Sequence, residues 1–223
     1  MAHLDLLSDR QKSNQFRLGR RIYQRIGKRT LDLGLALVLL PFLLPVIAAM
    51  ILAIRLQGGP AFYAHMRVGQ HGKRFTCWKI RTMVGDAEDR LANHLQTNAD
   101  AAEEWQRTQK LQSDPRVTSL GRHLRRTSLD ELPQIWNVLR GEMSLVGPRP
   151  VTVPELERYG PHKHIYLSLK PGVTGLWQVF GRSNGCYEQR LRMDRAYSKK
   201  VGLWQDLSLI GRTALVVTRG TGC

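Results

Sequence analysis

The sequence predicts an α/β fold that is mainly helical with a short β element. Residues 33–54 contain no charged side chain, and helix-favouring segments outnumber strand-like ones in the rest of the chain. Lys and Arg total 34 against 18 Asp and Glu, a net charge of +16. This excess predicts an anionic partner: nucleic acid, an anionic membrane surface or a phosphorylated substrate. Three distant cysteines without a CxxC pattern argue against a disulfide scaffold or zinc site and fit a reducing cytoplasm.

Residues 1–29 form a basic leader. Leu18, Ile22, Tyr23 and Ile26 recur at roughly helical spacing, which predicts an amphipathic basic helix in its second half. On an anionic membrane each Lys or Arg of such a helix contributes about 1 kcal/mol of binding. A solvated, partly disordered tail has the same composition, so both interpretations stay open.

The apolar segment Leu33–Ile54, LGLALVLLPFLLPVIAAMILAI, predicts a membrane helix. At 1.5 Å per residue it just matches the ~30 Å hydrocarbon layer, and it lacks the polar face of a soluble core helix. Pro41 and Pro45 each remove a backbone donor near its middle, so the helix should kink or break there. Both flanks are basic, which favours a re-entrant hairpin with both ends in the cytoplasm over a single span.

Beyond residue 56 the chain alternates short strands with helices. Phe75–Met83 has partial strand-type alternation, with Lys79 and Arg81 on one side. Helices are expected over 84–112, 117–126, 185–201 and 204–217. The last one begins with Trp204 and is amphipathic, which suits either a membrane interface or packing against the core.

An acid pair, Asp130–Glu131, lies in the strongly basic segment TSLDELPQIWNVLRGEMSLVGPRP. Arginines precede and follow it, at Arg122, Arg125, Arg126 and Arg149. The first three share a helical face, where like charges need an anion or a carboxylate nearby. A solvated face is the usual alternative for such a run.

The acid pair also marks a helix start. Ser128 and Glu131 match a capping box, but Pro133 would then fall at the fifth helical position, where its ring meets a carbonyl. With Asp130 as the cap, Pro133 falls in the tolerated first turn. The helix would then run over about 131–140 and stop at Gly141.

On this interpretation both acids stand at the positive end of a helix dipole, which favours their ionised forms. An ionised Asp that approaches a metal-bound phosphate is a plausible nucleophile. Mg²⁺ prefers one or two carboxylates plus substrate phosphates, and planar Arg forks match phosphate oxygens. We therefore assign phosphate binding to Lys79, Arg125 and Arg149, and predict phosphate chemistry at this site.

The chain from about Lys28 to its C-terminus resembles the bacterial sugar transferases, in particular the small monotopic polyprenyl-phosphate sugar-1-phosphate transferases. The resemblance rests on KRTLD before the apolar segment, KIRTM at 79–83, SLDELPQIWNVLRGEMSLVGPRP at 128–150 and KPGVTGLWQVFGR at 170–182. The last two motifs are long and highly specific.

The resemblance implies transfer of a sugar-1-phosphate from a UDP-sugar to polyprenyl (undecaprenyl) phosphate, the first membrane step of exopolysaccharide or other surface-glycan synthesis. Asp130 would be the nucleophile, forming a covalent phosphosugar intermediate with release of UMP. Glu131 would be the second acid, and Mg²⁺ would assist at Asp130. Lys79, Arg125 and Arg149 would bind phosphates. GLWQVFGR resembles the branch that transfers neutral hexose phosphates, galactose or glucose.

The resemblance also implies an organisation into a leader over 1–29, a re-entrant membrane helix over 30–56 and a cytoplasmic catalytic domain over 57–223. Interfacial amphipathic helices would hold this domain at the cytoplasmic face of the bacterial inner membrane. The break that the family has at a Ser-Pro pair matches Leu44-Pro45 here, with Pro41 added. Larger relatives carry four further membrane helices, so this chain is expected to be the catalytic unit alone.

The expected partners are the UDP-sugar, polyprenyl phosphate and anionic membrane lipids; a homo-oligomer is left open. A competing hypothesis is a membrane-tethered nucleic-acid-binding or scaffolding protein that uses the +16 charge. The sequence holds no recognisable nucleic-acid motif in its favour, so no nucleic acid is expected as a partner. A second alternative is an enzyme with a single span and a periplasmic part.

Overall fold

The computed structural model of the protein describes residues 19, 22–108, 111–181 and 187–218. The helices are α1 (Lys28–Leu56), α2 (Ala87–Thr97), α3 (Ala99–Thr108), α4 (Ser119–Thr127), α5 (Gln134–Arg140), α6 (Val153–Glu157), α7 (Lys163–Leu167), α8 (Tyr187–Lys200) and α9 (Leu203–Thr218). The strands are β1 (Phe62–Val68), β2 (Arg74–Ile80), β3 (Ser144–Val146) and β4 (Gly172–Thr174). The prediction of a mainly helical fold with a short β element is confirmed.

The predicted helices over 84–112, 117–126, 185–201 and 204–217 all form, with boundaries within a few residues of α2 and α3, α4, α8 and α9. Most of the leader lies outside the described residues, including Leu18. Its described end forms a π-helical turn, Tyr23–Gly27, that leads directly into α1.

Helix α1 is continuous over 29 residues and passes through Pro41 and Pro45. By length and composition, the helical stretch Tyr23–Leu56 could cross a membrane. Each proline removes only its own amide donor, and the neighbouring residues keep α1 helical. Neither proline ends the helix, and a membrane break at these two residues stays a prediction.

One stripe of α1 packs against the rest of the protein along nearly the whole helix. Its buried residues recur at helical spacing: Asp32, Ala36, Ile47, Met50 and Ile54. Ala36 joins a core cluster with α5 and β3, and Ile54 joins a second cluster with Ile80 and Leu124. The other faces are apolar and exposed, at Leu37, Val38, Phe42, Leu44 and Leu52. Helix α1 is therefore both an exposed apolar surface and part of the core.

The strand predicted at 75–83 forms as β2, which pairs antiparallel with β1. The amide side chain of Asn137, on α5, closes the other edge of β2. It accepts from the Trp78 N–H at 3.3 Å and donates to the Thr76 carbonyl at 2.7 Å. This contact sets the position of Lys79, near the end of β2, relative to the start of α5.

The sequence motifs at 128–150 and 170–182 meet where β3 and β4 pair in parallel. Gly147 and Gly172 lie so close that a Cβ on either would collide with backbone atoms of the other segment. Only glycine permits this approach. The Gly-Pro-Arg-Pro turn that carries Arg149 is thereby held against the segment that begins at Lys170.

A buried anchor network joins the start of α1 to the C-terminal helices. It consists of Tyr23, Lys28, Tyr197 and Asp206. The Asp206 carboxylate accepts from Lys28 Nζ at 2.6 Å, Tyr23 OH at 2.7 Å and Tyr197 OH at 2.8 Å. Asp206 is completely buried, and all its partners are donors. The network fixes how α1 enters the fold.

Candidate active site

The acid pair lies on a 3₁₀ turn, Leu129–Glu131, between α4 and α5. Helix α5 begins at Gln134, with Pro133 as its N-cap, so the predicted start near residue 131 is three residues early. The predicted stop at Gly141 is confirmed, with φ at 79°. The tight turn places both acids just before the helix, within reach of β2.

The capping-box alternative is absent from the structure. Ser128 has a left-handed φ of 57° and ends α4, and its side chain makes no capping hydrogen bond. Glu131 instead accepts from Lys79 Nζ at 2.6 Å. The acid is therefore used for an ion pair, not for a helix cap.

Two of the three predicted phosphate-binding side chains form ion pairs with the acid pair. Lys79 Nζ, from β2, lies 2.6 Å from Glu131 Oε1 and 3.9 Å from Asp130 Oδ2. The Arg149 guanidinium, from the Gly-Pro-Arg-Pro turn, lies 3.5 Å from the same Glu131 oxygen. Segments that are about 70 positions apart in the sequence thus meet at one carboxylate pair.

Arg125 approaches the pair from α4, where its Nε donates to Thr82 Oγ1 at 2.8 Å. Burial lowers the pKa of Arg125, and the negative charges of Asp130 and Asp114 counteract this effect. Gly121 allows the close packing of α4, because a Cβ there would collide with the Thr82 carbonyl.

The other two arginines of α4, Arg122 and Arg126, are exposed. For these two arginines the structure agrees with the alternative of a solvated helix face. Only Arg125, on the side of α4 that packs against Thr82, contributes its charge to the acid pair.

The two acids have opposite pKa shifts. Burial, reinforced by the charge of Glu131, raises the pKa of Asp130 to about 6, although Lys79, Arg125 and Arg149 oppose this change. Burial also acts on Glu131, but Lys79 and Arg149 outweigh it and lower that pKa to about 2. The nearby cations favour the ionised form of both acids, as the sequence predicted, but at Asp130 desolvation exceeds their attraction and raises the pKa.

Asp130 is buried, yet its carboxylate accepts no hydrogen bond within the part of the chain that the structure describes. Glu131, by contrast, is engaged by two cations. Among the described residues, no three acidic, His or Cys side chains form a metal cage. A single free carboxylate suits Mg²⁺ that takes its other ligands from substrate phosphate and water. Asp130 is thus the acid that remains available for chemistry.

A narrow cleft opens beside Glu131. It is lined by Arg67, Cys77, Lys79, Glu131, Gln134, Arg149, Pro150, Gly172, Val173 and Gln178. Arg67 and Gln134 were not predicted from the sequence. The register of the hairpin could have indicated Arg67, because it pairs with Phe75 and so shares a face with Lys79. Gln134 offers no such signal, since it sits inside a motif dominated by the acids.

A larger cavity of about 330 Å³ lies at the C-terminal end of α1, lined by Ile54, the 57–60 turn, Arg81 and Thr118, among others. None of the acids and none of the predicted phosphate-binding side chains line it. Arg81 donates to the Gly58 carbonyl there. The charged chemistry is concentrated in the narrow cleft.

Comparison with known families agrees with this geometry. The profile of the family described as bacterial sugar transferase matches residues 23–220, nearly the whole chain. The chain belongs to the bacterial sugar transferase family. The match includes α1, the acid pair and all the side chains that line the cleft.

Curated relatives of this sugar transferase carry related names. The undecaprenyl-phosphate galactose phosphotransferase of Salmonella typhimurium is 46% identical over 198 residues, 89% of this chain and 42% of the relative. The UDP-galactose-lipid carrier transferase of Erwinia amylovora is 47% identical over 198 residues, again 89% and 42%. The exopolysaccharide production protein ExoY of Rhizobium meliloti is 43% identical over 199 residues, 88% of each chain. The chain thus spans less than half of the first two relatives and most of the third.

Proposed function

We propose that this protein transfers a hexose-1-phosphate from a UDP-hexose to undecaprenyl phosphate, the initiating membrane step of exopolysaccharide or other surface-glycan synthesis. The observation that carries the proposal is the buried carboxylate of Asp130, which accepts no hydrogen bond among the described residues and lies 3.9 Å from Lys79 Nζ. Lys79 and the neighbouring Glu131 both line the cation-rich cleft. The names of relatives that match most of this chain support the substrates.

In the first step an Asp130 oxygen attacks the phosphorus that bears the sugar. A carboxylate–phosphorus bond forms, the bridging oxygen–phosphorus bond breaks, and UMP leaves with the bonding electron pair. In the second step a phosphate oxygen of the lipid attacks the same phosphorus. The bond to Asp130 breaks, and the carboxylate is regenerated.

Glu131 does not react in this scheme, because its pKa is low and both Lys79 and Arg149 hold it. It keeps these two cations beside the phosphates. Arg125 adds positive charge near Asp130. Mg²⁺, held by Asp130 together with substrate phosphate, would supply the remaining charge neutralisation that attack by an anion on a phosphate requires.

We further propose that α1 is re-entrant and does not span the membrane. Asp32 near its start accepts from Ser144 Oγ at 3.0 Å and the Leu145 N–H at 2.9 Å, and Ile54 near its end is buried against Ile80. These ends are about 33 Å apart along the helix, close to the hydrocarbon thickness. A helix whose two ends contact one water-exposed domain is best accommodated on one side of the bilayer, with its exposed apolar face in the lipid.

Helix α9 supports the same arrangement. It exposes a row of apolar side chains at Leu203, Trp204, Leu207 and Leu215. Trp and aliphatic side chains on one amphipathic helix are typical of a membrane interface. Anionic lipids would attract this strongly basic protein, whose net charge is +16, and the acid pair would then lie at the cytoplasmic face of the inner membrane.

Cysteine labelling tests the topology. In a variant without native cysteines, Ile26→Cys and Gln57→Cys place probes at the exposed ends of α1. A membrane-impermeant maleimide should label both from the cytoplasmic side only. Labelling of one from the cytoplasm and the other from the periplasm would show a spanning helix.

UMP release tests the activity. The purified protein, with Mg²⁺ and undecaprenyl phosphate, should release UMP from UDP-galactose or UDP-glucose. Asp130→Asn should reduce turnover roughly 10³-fold or more, because the nucleophile is lost. Asp86→Asn, at an exposed acid paired with Arg90, is the matched control and should retain full activity. Robust turnover by folded Asp130→Asn would refute the nucleophile assignment.

A further inference from the structure

The Gly-Pro-Arg-Pro turn presents Arg149 to the acid pair, but packing does not fix the Arg149 side chain. This side chain is 41% exposed, and its guanidinium contacts the Glu131 carboxylate only at 3.5 Å, which is long for a hydrogen bond. A side chain that packing does not lock takes its direction from the backbone that carries it. The position of the turn therefore decides where the Arg149 charge lies.

Three consecutive carbonyl groups of this turn each accept a hydrogen bond from a different part of the chain. The Pro148 carbonyl accepts from a backbone N–H of β4 at 2.8 Å. The Arg149 carbonyl accepts from the guanidinium of Arg190, on α8, at 2.8 Å. The Pro150 carbonyl accepts from the guanidinium of Arg67, on β1, at 3.3 Å. Two of the three donors are thus arginine side chains that hold the backbone next to the Arg149 side chain.

Arg190 differs from Arg67 in its location. Arg67 lines the cleft, whereas Arg190 does not, so Arg190 is placed to act on the turn and not on the substrate. Arg190 is only 6% exposed, and its Nε atom is buried without a hydrogen-bond partner among the described residues. A buried guanidinium with an unpaired N–H is unfavourable for folding. Its contact with the Arg149 carbonyl therefore gives this side chain a role that stability alone does not.

We propose that Arg190 is a positioning residue for the transfer reaction. By holding the Arg149 carbonyl, it keeps the Arg149 guanidinium directed at the sugar phosphate beside Asp130. This inference rests on the proposed function. A cation that is already in place stabilises the charge of the transition state without reorganisation. A displacement of about 1 Å is enough to lower the rate roughly 100-fold.

The first test measures kcat and KM for UMP release from the UDP-hexose that the wild type uses. Arg190→Met removes the donor and should lower kcat about 10-fold. KM should change less than about threefold, because Lys79 and Mg²⁺ still bind the ground-state phosphates. Arg190→Lys retains a cationic donor and should recover most of the lost rate. Arg192→Met, at an exposed arginine of the same helix, is the matched control and should equal the wild type.

A double-mutant cycle tests whether Arg190 acts through Arg149. Arg149→Met alone should lower kcat roughly 100-fold, because a preorganised donor to the reacting phosphate is lost. Adding Arg190→Met to this variant should cause no further loss, since no guanidinium remains to be positioned. A general contribution of Arg190 to the fold would instead lower kcat by the same factor in both backgrounds.

The charge of Arg190 also opposes the burial that raises the pKa of Asp194, four residues further along α8. If Arg190→Met does not fold, its combination with Asp194→Asn removes this buried acid together with the cation. The same cycle with Arg149→Met then applies in the Asp194→Asn background.

Equal losses in the two Arg149 backgrounds, or an unchanged kcat in folded Arg190→Met, would overturn the proposal. A large increase in KM with kcat unchanged would also contradict it, since Arg190 would then act on substrate binding. Failure of the proposed function gives a different result: the wild type would release UMP from no UDP-hexose. That result would remove this inference as well, whereas an active wild type without coupling between Arg190 and Arg149 would refute the role of Arg190 alone.

Discussion

Two largely buried lysine–carboxylate pairs in this protein have the same N–O distance but different roles. Lys28 Nζ and Asp206 Oδ2 are 2.6 Å apart in the anchor network, and Lys79 Nζ and Glu131 Oε1 are 2.6 Å apart in the cleft. In the anchor network two tyrosine hydroxyls also donate hydrogen bonds to the carboxylate of Asp206. Beside the cleft a second acid, Asp130, lies 3.9 Å from the same lysine and accepts no hydrogen bond among the described residues.

The two pairs differ in how many hydrogen-bond donors surround the buried carboxylates, and this difference separates a structural acid from a reactive one. A buried charge is tolerated where every lone pair finds a donor, and it then holds helices together. A buried charge with too few partners has a perturbed pKa and is available to react. The acid pair combines both cases in adjacent residues, since two cations contact Glu131, whereas Asp130 accepts no hydrogen bond among the described residues.

The largest expected effect is on the anchor network. Asp206→Asn leaves Lys28 buried without its counter-charge and should lower the free energy of unfolding by about 3–5 kcal/mol. Chemical denaturation in detergent micelles would measure it. Asp86→Asn removes an exposed acid and should leave stability unchanged. An Asp206→Asn protein as stable as the wild type would contradict the structural role of this network.

The same substitution at Asp130 should act in the opposite direction. A pKa raised from 3.8 to about 6 means that the ionised form destabilises the fold at neutral pH. A pKa change of one corresponds to about 1.4 kcal/mol, so Asp130→Asn should increase the free energy of unfolding by up to about 3 kcal/mol at pH 8. The stability that the raised pKa provides is present below pH 3.8 and is lost as the pH rises through about 6.

The increase in the free energy of unfolding caused by Asp130→Asn should therefore become smaller as the pH falls from about 8 to about 4. Denaturation curves of both proteins across this range would measure it. A variant that is less stable than the wild type at the upper end of the range would show that Asp130 makes a structural contribution that outweighs its desolvation.

The smallest expected effect concerns the pH profile. Asp130, the proposed nucleophile, must be ionised to react, so kcat/KM should fall below about pH 6. Lys79→Met removes the cation that most strongly lowers the pKa of Asp130, so the residual activity should fall at a pH about one unit higher. Arg140→Met, at an exposed arginine outside the cleft, is the control for lost charge. If the pH profile of Lys79→Met is not shifted, a group other than Asp130 controls the fall of kcat/KM at acidic pH.

The sequence predicted the parts of the site that local pattern determines. The end of α5 at Gly141 could be predicted because glycine readily adopts the left-handed φ that ends a helix. The contacts of Lys79 and Arg149 with the acids were expected because KIRTM at 79–83 and the motif at 128–150 both resemble the family pattern. The predicted start of α5 was wrong because only Ser128 and Asp130 were considered as its N-cap. The structure uses a third, with a 3₁₀ turn before Pro133.

The remaining features depend on contacts between distant positions, which no local periodicity records. Lys28 and Asp206 are 178 positions apart, and Arg67 and Glu155 are 88 apart. The raised pKa of Asp130 comes mainly from its burial, which the charge pattern of the sequence does not reveal. The position of Gln134 in the wall of the cleft likewise depends on how α5 packs against the other elements.

Helix α1 has a practical consequence for work on this protein. Because Ala36 and Ile54 each complete a core cluster, a fragment that begins at residue 57 would expose both clusters to water. Such a fragment should aggregate instead of giving a soluble catalytic domain. Detergent or nanodisc preparations that retain α1 are therefore the appropriate material for kinetic and structural experiments.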